Sequence, residues 1–303
     1  MPGSPLEEHT GQVRPLPALI ATCVVLSGCA AGSSGEDPAV ASPSSSTSER
    51  TAEPAVDPAA PVADLHVECD GEAGPTVVLV AGLGTSGDAF SDLQDELAGT
   101  ARTCFYDRAG IGDSAPLDDA APDPSPGSAA ADLRATLEAE DIEPPYVLLG
   151  WSYGGLVAQA YAADFPDDLA GLVLEDPSVR EQFTDATLDN PDIDWSEGGR
   201  DVDRDALVRQ LAGLDLGDLP VTVLSQDLDE PWIEAWWVTH DRLARATTDG
   251  VHAIGLGSGH AMHEDAPRLV ARAVVATWTA AEAGTPLPGC REVFRGVRVR
   301  CRV

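Results

Sequence analysis

The sequence contains no lysine, so its 18 basic residues are all arginine, and they face 51 aspartates and glutamates for a formal net charge of −33. A surface of that sign repels a polyanion over most of its area, which sets nucleic acid aside as a partner and makes solubility the plain reading of the acidity. Nowhere does the chain carry the run of about 20 apolar residues that a membrane-spanning helix needs. No Cys-x-x-Cys pair occurs, and with it the close spacing favoured by zinc sites is missing. No segment repeats another. What is present is a 303-residue chain, 43% apolar, enough for one large core with tails at its ends.

The N-terminal end reads as an address. After Arg14, residues 16–28 form an apolar segment of about 13 residues, too short to span a bilayer and suited to the core of a signal peptide. It closes in Leu26-Ser27-Gly28-Cys29, which resembles a bacterial lipoprotein signal, in which the chain is cut before the cysteine and that cysteine takes lipid. Glu7 and Glu8 depart from the usual basic start. The expectation is a signal peptide over 1–28, lipidated Cys29, and a tether over 29–63 whose Ser, Pro, Ala and acidic residues cannot offset the entropy of ordering. The protein then sits outside the cytoplasm, held to the membrane through that lipid alone, with plain secretion as the alternative. Export places Cys69, Cys104, Cys290 and Cys301 in an oxidising compartment, where an even set of four allows three pairings.

From residue 64 strand and helix signals alternate. Residues 65–69, 76–81, 103–106, 146–149, 172–175, 221–225 and 251–255 read as strands, several of them β-branched runs typical of a sheet covered on both faces. Residues 90–97, 128–140, 156–163 and 267–281 read as helices. Such alternation predicts an α/β fold, a mostly parallel sheet with helices on both faces. Between 172–175 and 221–225 the chain makes a long excursion, 178–220, containing an acidic stretch at 185–205 and a helical piece at 204–214; it reads as a short, mobile lid insertion over the C-terminal edge of the sheet.

One stretch carries the chemistry. Gly150-Trp151-Ser152-Tyr153-Gly154-Gly155 lies between the strand at 146–149 and the helix at 156–163. That order, strand, Gly-x-Ser-x-Gly, helix, is the nucleophile elbow, a tight turn that raises a serine oxygen above the sheet and aims a helix N-terminus at it. Ser152 is the candidate nucleophile.

Together with Thr76-Val77-Val78-Leu79-Val80-Ala81-Gly82-Leu83-Gly84, the run from Tyr106 to Ser114, Leu174-Glu175-Asp176-Pro177 and Gly257-Ser258-Gly259-His260, the elbow makes the chain resemble the α/β-hydrolases, over about residues 65–278. The resemblance implies a triad in the order Ser, acid, His. His260 is the expected base, with His263 as the alternative; His66, His240 and His252 are surface or packing residues. For the acid the family offers two places, after the sixth strand or the seventh, and this chain has carboxylates at both: Asp176 is the expected acid, and Asp229, near Asp227, is the alternative. The oxyanion donors are the backbone N–H groups of Leu83 and Tyr153. Asp107 and Arg108 tie a turn near the site, and Trp151 either lines the acyl pocket or packs in the core.

The chemistry implied is acyl transfer from a small ester or amide to water, and the scheme calls for neither metal nor organic cofactor. An aminopeptidase-like enzyme, resembling proline iminopeptidase, is the alternative if lid acids such as Asp185, Asp189 or Asp192 bind a free amine; a non-catalytic binding protein of the same fold is the other. Oligomeric state is not legible. The fold also implies neighbouring strands for Cys69 and Cys104, hence a Cys69–Cys104 bridge, leaving Cys290–Cys301 to close a short loop. The hydrolase domain is expected over 64–284 and a basic tail over 285–303, where Arg291, Arg295, Arg298, Arg300 and Arg302 interleave with valines around Gly296 as a disulfide-closed hairpin. The domain's own acids or an anionic envelope surface would receive it.

Overall fold

The computed structural model describes residues 65–303; the expected signal peptide, Cys29 and the whole linker lie outside these described residues. The strands are β1 (Val67–Asp70), β2 (Thr76–Val80), β3 (Arg102–Tyr106), β4 (Tyr146–Trp151), β5 (Leu169–Glu175), β6 (Ser196–Glu197), β7 (Arg200–Asp201), β8 (Val221–Ser225), β9 (Gly250–Gly255) and β10 (Val299–Cys301). The helices are α1 (Ser91–Leu97), α2 (Pro126–Ala139), α3 (Tyr153–Asp164), α4 (Arg204–Gln210), α5 (Ile233–Ala244), α6 (Met262–Asp265), α7 (Pro267–Ala283) and α8 (Cys290–Val293). Eight strands form one sheet in the order β1-β3-β2-β4-β5-β8-β9-β10. The six between the edges run parallel, and β1 and β10 close the edges antiparallel.

The β-branched runs have the physical role their composition suggests. Alternate residues serve opposite cores: Val78, Val80, Leu148, Leu172 and Leu174 face the side covered by α2, α3 and α5, while Val77, Leu79, Val147, Leu149 and Val173 face α1 and α7. At about 25 cal/mol per Å2 of apolar surface, such two-sided burial is the main term holding the sheet. Helix α2 begins two residues earlier than its sequence signal because Ser125 and Ser128 cap it reciprocally, with Pro126 at the first helical position. The chain leaves β2 toward β3 on one side and reaches β4 on the other, so a crevice opens at the C-terminal ends of β2 and β4. In open α/β sheets ligands bind at such a switch point.

Three differences from the sequence reading are physical. Helix α5 carries apolar or buried residues at Ile233, Trp236, Trp237, His240, Leu243 and Ala244, a 3.6-residue spacing broken by enough polar residues to pass for loop. The excursion 178–220 is not a loose acidic flap: Leu188, Trp195, Val202, Leu207 and Leu211 are buried in the main core. The tail is not a separate hairpin. After the turn of α8 it enters the sheet as β10, pairing with β9 in the register Val299↔Gly255 to Cys301↔Ala253.

The reason lies in alternation along that last strand. Val297, Val299 and Cys301 pack on the apolar core, whereas Arg300 and Arg302 lie over the ring of Trp237 at 5.2 and 5.7 Å. Arg302 also pairs with Asp241 and Glu234 of α5, at 2.8 and 3.0 Å. The domain therefore extends past residue 284, and of the tail's arginines Arg302 meets the protein's own acids. Both bridges form: Cys69 with Cys104, directly opposite across β1 and β3, and Cys290 with Cys301.

Candidate active site

The site begins with the backbone of the elbow. Ser152 has φ 54° and ψ −121°, a strained left-handed conformation of the kind that costs of order 1–3 kcal/mol and is held only when its surroundings over-determine it. Here they do. Ser152 N–H donates to Glu175 O at 3.2 Å, and its carbonyl accepts from the N–H groups of Gly155 and Ser178 at 2.9 and 2.8 Å. The flanking glycines are required by proximity: a Cβ on Gly154 would lie 2.0 Å from Val80 O, and one on Gly150 would lie 2.5 Å from Gly154 O. So β2, β4 and α3 approach as closely as backbone allows, and Ser152 is lifted to the rim of the crevice.

Asp176, the residue after β5, also has a left-handed backbone, φ 38°, and is fully buried. Its Oδ2 meets His260 Nδ1 at 2.5 Å. Its Oδ1 accepts from Trp236 Nε1 at 2.9 Å and from Gln226 N at 3.2 Å. Three donors thus converge on one buried carboxylate and hold it in a single orientation. Burial works against the imidazolium of His260, but the hydrogen bond and charge of Asp176 outweigh it, and its pKa is raised above the ordinary histidine value. The His260 side chain is 44% exposed. Ser152 and His260 line one cavity of about 440 Å3, with Ser178, Gln182, Leu188, Asp189, Gln226, Trp232 and Trp236 among its walls.

The alternatives separate clearly in space. Asp229 is exposed, and Asp227 uses its carboxylate on Gly257 N at 3.1 Å, so neither meets the imidazole of His260. His263 is fully buried against Glu175, with Nδ1 and its own N–H at 2.7 and 2.8 Å from Glu175 Oε1. Its Nε2 has no hydrogen-bond partner among the described residues. Its ring packs on Trp151 and Phe90, with centroids 4.6 and 4.7 Å away.

Trp151 does not line that cavity. Its Nε1 donates to His260 O at 2.8 Å, and its ring occupies the space left by the missing side chain of Gly82. His240 and His252 are buried in a relay in which Ser225 Oγ meets both rings, at 2.6 and 2.7 Å, and Asp241 takes His252 Nδ1 at 2.6 Å. His66 is partly exposed beside Glu68.

The loop after β2 is braced from below. Arg108 donates to the carbonyls of Ala81 and Gly82 at 2.8 and 2.6 Å and pairs through Nε with Glu197 at 2.8 Å, while Gly84 N donates to the other oxygen of Glu197 at 3.0 Å. Asp107 holds Gly87 N and Asp113 N. Leu83 N–H donates to no acceptor among the described residues, and Tyr153 N–H stands at the first position of α3, where the helix offers no partner. Neither N–H is taken up by the described residues. A separate, more apolar cavity of about 460 Å3 lies against Tyr153, Tyr106 and Arg108; neither Ser152 nor His260 lines it.

The sequence reading passed over Trp236 and Glu197. Trp236 had a signal in the helical spacing of α5; Glu197 had none, because its partner stands 89 residues away in the chain.

Residues 75–243 match the model of the alpha/beta hydrolase fold family. The chain belongs to that family. Among curated relatives of this hydrolase, YqjL of Bacillus subtilis, an uncharacterized protein, is 26% identical over 228 residues, covering 70% of this chain and 86% of its own. The pimeloyl-[acyl-carrier protein] methyl ester esterase of Chromobacterium violaceum is 36% identical over 119 residues, 39% of this chain and 42% of the esterase. Among solved structures, a thermophilic esterase from Thermogutta terrifontis superposes with a TM-score of 0.56 at 20% identity, covering 72% of this chain and 94% of that one.

Proposed function

We propose that the protein is a serine hydrolase that cleaves small ester or amide substrates through an acyl-enzyme, with Ser152 as nucleophile, His260 as base and Asp176 as acid. The observation that carries this reading is the 2.5 Å contact between Asp176 and His260, whose ring shares a cavity with a serine held in a strained elbow. Asp176 fixes the tautomer in which Nδ1 keeps its proton and Nε2 is free to accept one. His260 Nε2 takes the Ser152 proton as Oγ attacks the carbonyl carbon, and the oxyanion is met by the N–H groups of Leu83 and Tyr153. The imidazolium then gives its proton to the departing alcohol or amine. Water repeats the cycle on the acyl-enzyme, returning the proton to Ser152 and releasing the acid.

The curated methyl ester esterase of Chromobacterium violaceum, similar over the part of the chain that it shares, supports ester chemistry. We further propose that Cys29 carries lipid and holds the enzyme to the outer face of the cell membrane, where the two disulfides are chemically at home. A fluorophosphonate probe should label the purified protein at Ser152 and leave Ser152→Ala unlabelled. Equal labelling of the variant, or none of either, would refute the triad.

A further inference from the structure

The cavity beside Ser152 has a one-sided chemistry. Of its wall residues, Asp189 is the acid and no arginine is present, so His260 is the sole group there able to carry positive charge. The Asp189 carboxylate is exposed and enters no hydrogen bond or ion pair with the described residues. Its neighbours behave differently: Asp185 turns its carboxylate onto Thr187 N and Oγ1 at 2.9 and 2.8 Å, and Asp192 lies outside the cavity wall.

Facing the same space are two indoles. Trp232 and Trp236 stand nearly perpendicular, 83° between planes with centroids 6.3 Å apart. Trp236 is committed through Nε1 to Asp176, which fixes its ring, while Trp232 is 40% exposed, a large apolar surface to leave in water at the N-cap of α5. An aromatic face beside an unneutralised carboxylate is the combination that binds an alkylated ammonium, through the ring quadrupole on one side and charge on the other. A substrate bearing an anionic carboxylate or phosphate group would find no cation there besides His260, which the mechanism uses, and a purely apolar ester would leave Asp189 unused.

We propose that this cavity is a subsite for a cationic group, so that the preferred substrates are small esters or amides carrying an ammonium held by Trp232, Trp236 and Asp189. This rests on the serine hydrolase reading for turnover but not for binding.

Isosteric pairs test it. Acetylcholine against 3,3-dimethylbutyl acetate places the cation in the alcohol part, and 4-nitrophenyl 6-aminohexanoate against the heptanoate places it in the acyl part; within each pair charge changes and shape hardly does. In at least one pair kcat/KM should favour the cation by about tenfold, and Asp189→Asn or Trp232→Ala should bring that ratio toward one. Asp192→Asn, which removes the same charge outside the cavity, should leave the ratio in place. Equal turnover within both pairs, or an equal effect of Asp192→Asn, would overturn the subsite. If none of the four esters is cleaved, the fluorophosphonate labelling of Ser152 judges the hydrolase reading separately, and titration of tryptophan fluorescence in Ser152→Ala decides the subsite: tighter binding of acetylcholine than of its neutral isostere supports it, and equal binding sinks it.

Discussion

Replacing Asp176 by Asn keeps shape and volume and reverses the hydrogen-bonding sense of one atom. The carboxylate is fully buried and accepts from three donors, His260 Nδ1, Trp236 Nε1 and Gln226 N. An amide has one acceptor oxygen. If that oxygen stays with Trp236 and Gln226, the NH2 faces His260, and the imidazole must present Nδ1 as acceptor and carry its proton on Nε2, the atom that should receive the Ser152 proton. If the amide flips, NH2 meets two donors in a fully buried site. The first arrangement loses the competent tautomer and the second is opposed by two donor–donor contacts, and the loss in a comparable triad is roughly 10⁴-fold in kcat, or about 5.5 kcal/mol of transition-state stabilisation. Asp229 is exposed and faces neither Ser152 nor His260, so Asp229→Asn should change kcat by less than about twofold. The assay is initial-rate turnover of a 4-nitrophenyl ester by the two folded variants over pH 6–9. A larger loss in Asp229→Asn than in Asp176→Asn would show the acid to be on the loop after β8 and refute the assignment.

Trp236→Phe removes one donor to the acid while keeping an aromatic ring; kcat should fall about tenfold, in line with a hydrogen bond to a charged group, and an unchanged kcat would deny Trp236 a positioning role. Because the His260 pKa is raised and the base must be neutral, the acid limb of kcat/KM should lie above about pH 6.5, and a limb below that value would contradict the Asp176 contact. His252 behaves in the opposite sense: burial first, then His240, lowers its pKa to about 4, so the unfolded chain binds a proton that the folded one refuses. Stability from this group is therefore lost as pH falls from about 6.5 toward 4, by roughly 2 kcal/mol between pH 7 and 5, best read by urea unfolding in a His260→Ala background where the raised histidine no longer compensates. A flat profile in that window would show His252 to titrate normally. Serine at both Cys290 and Cys301, whose loop spans 11 residues, should cost roughly 3 kcal/mol by urea unfolding; no loss would mean that β10 holds without its clasp.

Local patterns carried much of this. A β-branched run flanked by turns has one low-energy use, a buried strand, and the spacing of such runs with helices between them already implies a parallel sheet, because parallel strands need crossovers. The elbow was legible for the same reason: the turn that exposes Ser152 is made within six residues, and glycines mark where backbone approaches backbone. The acid was not. Asp176 and Asp229 both follow strands, and only the sheet, by bringing the end of β5 beside the loop after β9, sets Asp176 against His260, 84 residues on. Trp236, Glu197 and the place of the tail depend likewise on contacts distant in sequence. The alternation of arginine and valine near the C-terminus specified a strand with one charged and one apolar face; that it pairs with β9 was decided by an open sheet edge and by the acids of α5, which the chain assembles only when folded.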